Sequence, residues 1–479
     1  MRYHLFVLFC LTAWSVSFAQ SQVFTPEELK EDFEVFRGSI EEMHPGVYWY
    51  TSKQELDQAF DLVEQSLTSP LTEIEYFRLL APIISKVRCG HTWIAPPRKL
   101  TREMREEGRL FPLDFKLIEG RAYCSLNRTD NQDIAPGNEL FKINGYSIDS
   151  LVTIFQRNHS SDGYVNTWTN FIFERYFRYY YPYYIGQPDN FEVEYKNSTG
   201  LVKTSTVGAL SVEELRQRRK VPLVRKDYID LTFLEEDIAL LDIREFNHWK
   251  SGKKRKNFGK VLDKSFSSID SSGVDHLIID LRGNTGGYEK YGLQLMSYFK
   301  GEPFTGYRQI RLKNKSFKYR KYSKTGPLLY LLFQAYLKLD HVNDTTYLLR
   351  NDRNLKQVEP PEVIFKGNIY VLTDGGSTST TADFCSLMRY HQLATFVGEE
   401  TGGGALGNTS NFSFEMKLPN TKIQYELPIT QYLLNVEETK ENFGRGTVPD
   451  HVVKRNMTDI LNNTDTQLNF VLQLIHESN

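Results

Sequence analysis

Cysteine is scarce: 479 residues hold four, at positions 10, 89, 124 and 385, with no Cys-x-x-Cys pair. This speaks against both a disulfide scaffold and a cysteine-rich zinc site. An excess of one charge is also missing, with 58 Lys and Arg against 60 Asp and Glu. A nucleic-acid binder relying on bulk positive charge is therefore excluded, leaving only the option of a local basic patch. Beyond the N-terminus no apolar run reaches the roughly 18 residues needed to cross a bilayer. The best, residues 328–337, is interrupted by Gln334 and reads as a core or lid helix. There is no P-loop, no His-Glu-x-x-His, no Gly-x-Ser-x-Gly elbow, no internal repeat and no low-complexity tract. Gly402 to Gly407 fits Gly-x-Gly-x-x-Gly, but residues 408–414 alternate as a strand where a dinucleotide site needs a helix.

What is present is ample core material: 40% apolar residues, including 28 Tyr and 31 Phe, in a chain long enough for two or three domains. Residues 1–19 read as a secretory signal peptide. Arg2 supplies the positive start, residues 5–16 the apolar run, and Ser17-Phe18-Ala19 the small residues of a cleavage site. Cys10 lies inside it, and Val7-Leu8-Phe9 lacks the small residues of a lipoprotein box. The expectation is an exported protein, periplasmic or extracellular, with no integral membrane segment after signal removal.

The pattern divides the rest into three. Residues 20–100 carry apolar residues at helical spacing, as in Leu29, Phe33, Phe36 and Ile40, and predict an N-terminal helical domain ending in a turn at His91. Residues 105–215 alternate short β-rich runs with turns and predict a small β-rich domain. Residues 225–479 alternate apolar strands with helices and predict an α/β core. A basic insertion at 300–360 interrupts that core; such a charge run is usually a solvated face, and an electropositive lid over the site is the other reading.

Two Gly-rich junctions, each running from a buried strand into a helix, are the candidate chemistry. Asp280 to Gly287 exposes consecutive amides suited to an anion or a developing oxyanion. Thr373 to Thr381 places serines at a helix start, where a hydroxyl can be a nucleophile or merely a cap. A serine nucleophile needs a base, and of ten histidines only His91, on a Gly-His-Thr turn, projects from rigid backbone. The others default to surface or satisfied-core roles.

Together these motifs resemble the tail-specific, or C-terminal processing, serine peptidases, and more closely the branch containing the tricorn protease core. Arg88-Cys89-Gly90-His91-Thr92 resembles that branch's histidine turn, Gly137 to Gly145 a strand of PDZ-type modules, and Asp280 to Gly287 the family's DLRGNxGG segment. Ser379 to Phe384 with Val397-Gly398-Glu399-Glu400-Thr401 resembles the nucleophile helix and the strand after it, and Val448-Pro449-Asp450 the closing element. The resemblance implies an exported serine endopeptidase with a PDZ-like middle domain, acting on peptides or proteins without metal or organic cofactor. Ser379 is then the nucleophile, His91 the base, and the amides of Thr380 and Gly286 the oxyanion hole. Gly404 stands where Ser-Lys members carry their base lysine, which leaves histidine as the base. Gly90 and Phe443 depart from the branch, which has a hydroxyl residue and an acidic residue there. Glu441 is the implied carboxylate orienting His91, with Glu437 and Glu438 as alternatives. The competing reading is a non-catalytic binder of peptides or hydrophobic ligands on a degenerate peptidase scaffold. Oligomeric state is not readable from the chain.

Overall fold

The computed structural model describes residues 22–218, 227–251 and 254–478. The signal peptide read at residues 1–19 lies outside the described residues.

Three helices open the described chain, Pro26–Met43, Lys53–Ser66 and Glu73–Lys86, and each begins the same way. Thr25, Ser52 and Thr72 accept from the amide three residues on, while Glu28, Glu55 and Glu75 reach back to the cap's own amide. Such reciprocal caps satisfy two orphaned donors and stabilise a helix start by about 1 kcal/mol. The apolar stripes are buried, with Phe60 edge-on to Phe33 and Phe36 at 6.1 and 6.5 Å.

This helical part is tied to the far end of the chain. Asp32 accepts from the amides of Asn420 and Thr421 and from the Thr421 hydroxyl. The short strand Trp93–Ile94 pairs with Gln424–Leu434. These contacts bring the histidine turn, which lies between them, onto the C-terminal core.

Residues 113–208 contribute a six-stranded antiparallel sheet with two helices, Ile148–Asn158 and Asn166–Tyr184. The second helix was not expected from sequence. It carries aromatics on several faces and Pro182 inside, which blurs the polar side, yet Thr169, Phe173, Phe177 and Tyr181 are buried at four-residue spacing. The polar helix Arg98–Glu107 was likewise unread in the interval before this domain.

The C-terminal part is built on two sheets. In the first, Ile229–Phe233, Ile238–Ile243, His276–Asp280, Asn368–Thr373, Thr395–Gly398 and His451–Val452 lie side by side in that order, all pairs parallel except the first. Both faces are covered: Leu277 and Ile279 join the main core, while Ile278, Tyr370 and Leu372 pack with Val471 and Ile475 of the helix Thr466–Ser478. Burial on both faces explains the continuous apolar strands. In the second sheet, Tyr307–Leu312 pairs with Gln424–Leu434, and that strand with Gly407–Lys417. The segment 300–360 is thus partly woven into a sheet rather than detached. Its helix, Pro327–Tyr336, departs from the core-helix reading, since none of its residues is buried.

Candidate active site

The two Gly-rich turns interlock at the ends of neighbouring strands. Asp374 Oδ1 accepts from the amides of Gly283 and Gly376 at 2.7 and 2.8 Å. Ser377 is fully buried and donates its hydroxyl to the Leu281 carbonyl at 2.9 Å. It is a turn residue, as its neighbour's position requires. The chain then passes through Ser379 with φ 56° and ψ −130° before entering the helix Thr380–Tyr390. A non-glycine residue held in such a conformation stores strain, and strain of this kind clusters at functional sites.

His91 meets this serine. Its Nε2 lies 3.1 Å from Ser379 Oγ, joining residues 288 apart in sequence. The histidine turn begins at Arg88, itself at φ 53°, and is clamped from several sides. The Ser160 hydroxyl accepts from the Cys89 amide and donates to the Cys89 carbonyl. Asp162 Oδ1 accepts from the Gly90 amide at 2.7 Å, and Arg88 donates to the Gly163 carbonyl while stacking 4.4 Å over Tyr164. From beneath, buried His44 hydrogen-bonds Thr92 Oγ1 at 2.9 Å, and burial pushes its imidazole down to about 3, keeping it neutral.

The loop at 160–164 is what sequence reading missed. A ring nitrogen of His91, a carboxylate oxygen of Asp162 and the Cys89 sulfur lie within 4.8 Å of one another. As a metal site the cluster is poor: burial lifts the Cys89 thiol to about 12, and the thiol donates to the Thr409 carbonyl. Electrostatically it is effective. Burial lowers the pKa of His91, and the negative charge of Asp162 opposes that shift. The only local signal was an Asp-Gly turn, Asp162-Gly163, which identifies a bend but not what the bend touches.

Gly286 sits against Ser379 at φ +98°, where an added Cβ would come within 2.7 Å of Ser379 Cβ and 3.0 Å of the Thr380 amide nitrogen. Its own amide donates to Asn284 Oδ1 at 2.9 Å. The Thr380 amide, first in its helix, has no hydrogen-bond partner among the described residues. Glu441 is not brought to the imidazole. It is exposed, its carboxylate is held by Thr439, and His91 Nδ1 has no hydrogen-bond partner among the described residues. Glu437 and Glu438 are exposed as well. Phe443 packs its ring against Tyr50 at 5.3 Å. Gly404 presents its amide to Asp162 Oδ2 at 3.4 Å.

In the first turn of the helix Thr380–Tyr390, Asp383 is enclosed. It accepts from the Tyr307 hydroxyl at 2.7 Å and from the Asn408 amide with both oxygens at 3.1 Å. Burial nonetheless dominates and pushes its carboxyl up to about 8.

Residues 237–453, which contain both Gly-rich turns, match the profile of peptidase family S41. Over that span the chain is similar to peptidase family S41, and this similarity supports a serine-type peptidase. Mature CPAF shares its fold over 91% of this chain and 94% of that one, with a TM-score of 0.62 at 15% identity. Mature CPAF complexed with lactacystin matches equally well, at 15% identity over 91% of this chain and 95% of that one, TM-score 0.62. The photosystem II D1 C-terminal processing protease aligns over 89% and 93% at 11% identity, TM-score 0.42. No curated protein sequence gives a significant match.

Proposed function

We propose that the protein is an exported endopeptidase of the histidine-using, tricorn-like branch, with Ser379 as nucleophile and His91 as general base. The observation that carries this reading is the 3.1 Å approach of His91 Nε2 to Ser379 Oγ on a strained strand-to-helix turn. Nε2 takes the hydroxyl proton as Oγ attacks the peptide carbonyl carbon, then gives it to the departing amine. The same nitrogen activates water to release the acyl group from Ser379. The Thr380 amide stands ready for the oxyanion. Gly286 joins it on exchanging its bond to Asn284 Oδ1, and each such donor is worth about 3 kcal/mol in the transition state.

Asp162 takes the part first given to Glu441. Its negative charge, near a ring nitrogen in a buried setting, favours the imidazolium formed as the proton moves. The sheet domain at 113–208 is read as PDZ-like, and peptide or protein chains as the substrates.

The test is labelling with a serine-directed fluorophosphonate followed by peptide mapping. The label is expected on Ser379 and absent in Ser379→Ala. Labelling of Ser377, or peptide cleavage undiminished in Ser379→Ala, overturns the assignment. Export is tested by cell fractionation with N-terminal sequencing, which should find a chain beginning at Gln20.

A further inference from the structure

The helix Pro327–Tyr336 has two apolar faces, of which one is covered. Its inner face is occupied, with Phe333 packed on Phe412 and Phe414 at 5.1 and 6.4 Å and Tyr330 on Phe414 at 6.1 Å. The helical repeat puts Leu328, Leu331 and Leu332 on the opposite side. They are 72, 64 and 60% exposed, and Leu329 and Tyr336 beside them are 63 and 50% exposed. A helix on a water-facing surface is normally polar there, and contiguous exposed apolar side chains mark a contact site.

The chemistry around that face narrows the partner. From residue 303 to residue 339 the chain has nine Lys and Arg and no Asp or Glu. The basic turn Lys318–Tyr322 lies directly against the helix, with the Arg320 guanidinium 4.3 Å over the Tyr330 ring. Gln334 Nε2 donates to the Lys315 carbonyl at 2.6 Å. Lys315, Lys318, Lys321 and Lys338 are exposed and form no ion pair among the described residues. The nearby carboxylates are otherwise engaged, Glu42 by the amides of Lys318 and Tyr319 and Glu415 by Lys324.

We propose that this helix and its lysines form a docking face for an anionic lipid surface. The leucines enter the acyl boundary and the ammonium groups meet phosphate headgroups. Ten residues make a helix of about 15 Å, half a bilayer's hydrocarbon thickness, so it lies in the plane of the interface. A second copy of the chain is the poorer occupant. A twofold contact sets the same patch against itself, and here that would oppose two basic segments that contain no acidic residue.

Vesicle flotation of the purified protein tests this, using phosphatidylcholine alone and phosphatidylcholine mixed with phosphatidylglycerol. Binding is expected only to the mixed vesicles, falling as salt is raised. The triple variant Leu328→Ser, Leu331→Ser, Leu332→Ser should lose about tenfold or more of the bound fraction. Lys318→Gln with Lys321→Gln should lose several-fold, both with an unchanged thermal midpoint. No binding to mixed vesicles, or equal binding by a folded triple variant, overturns the proposal. So does a concentration-dependent dimer that the triple variant abolishes while vesicles go unbound.

Discussion

His91 Nε2 and Ser379 Oγ stand 3.1 Å apart although the two residues are 288 apart in sequence. The contact exists because the N-terminal helices are tied to the hairpin at 407–434, through Asp32 on one side of the histidine turn and Trp93–Ile94 on the other. His91→Ala should therefore lower kcat by about a thousandfold or more with little change in thermal midpoint, since it removes the proposed base and leaves those ties intact. Steady-state kinetics on a quenched peptide checks this. Activity within a few-fold of the unaltered enzyme would place the base elsewhere.

Gly286→Ala should also slow the reaction, by a smaller factor, without touching a proton-transfer group. The added methyl would lie 2.7 Å from Ser379 Cβ, and the backbone at φ +98° disfavours any side chain. A nucleophile displaced by about 1 Å costs on the order of a hundredfold in rate. The expected signature is a fall in kcat and in fluorophosphonate labelling rate together. Gly273→Ala serves as control, because it is also left-handed, at φ +65°, but its Cβ would meet nothing within 4 Å.

Asp383 should make stability fall as pH rises. Its folded-state carboxyl sits at about 8, above the ordinary carboxyl value of about 4, chiefly through burial. Between those values the folded protein binds more protons than the unfolded chain, so unfolding free energy decreases with pH across that window. Below it the contribution is fully present, and above about 8 the loss is complete. Asp383→Asn should flatten this slope in denaturant titrations from pH 4 to pH 9. An unchanged slope would show that Asp383 ionises in the fold at its ordinary pKa.

How much of this was legible in the sequence follows from how local each signal is. The turn at Ser379 could be read because a buried strand, two glycines and a serine run directly into a helix. The same holds for the two-faced sheet, whose strands are apolar throughout. Asp162 could not be read, because its role depends on a loop between two helices reaching the Gly90 amide. The helix Asn166–Tyr184 was hidden by its own composition, since aromatic side chains on several faces erase the contrast that periodicity needs. Glu441 was placed by counting from a closing motif. Position along a chain says nothing about whether a side chain turns inward, and this one faces solvent.

The last expectation separates Asp162 from Glu441 by the direction of a pH shift. Burial lowers the imidazole pKa of His91, and the Asp162 charge raises it. A base works only when neutral, so the acid limb of kcat/KM reports the pKa of His91 in the free enzyme. Because burial outweighs the charge, that limb should lie below the ordinary histidine value of about 6.5. Asp162→Asn removes the opposing charge and should move the limb to still lower pH, leaving the base neutral over a wider range. The plateau rate should nonetheless fall, because the imidazolium formed in the transition state loses its nearby anion. A simple structural defect would lower the plateau without moving the limb. Glu441→Gln should leave both unchanged, since that carboxylate is solvent-exposed and held by Thr439. A limb shifted by Glu441→Gln and untouched by Asp162→Asn would return the orienting role to Glu441.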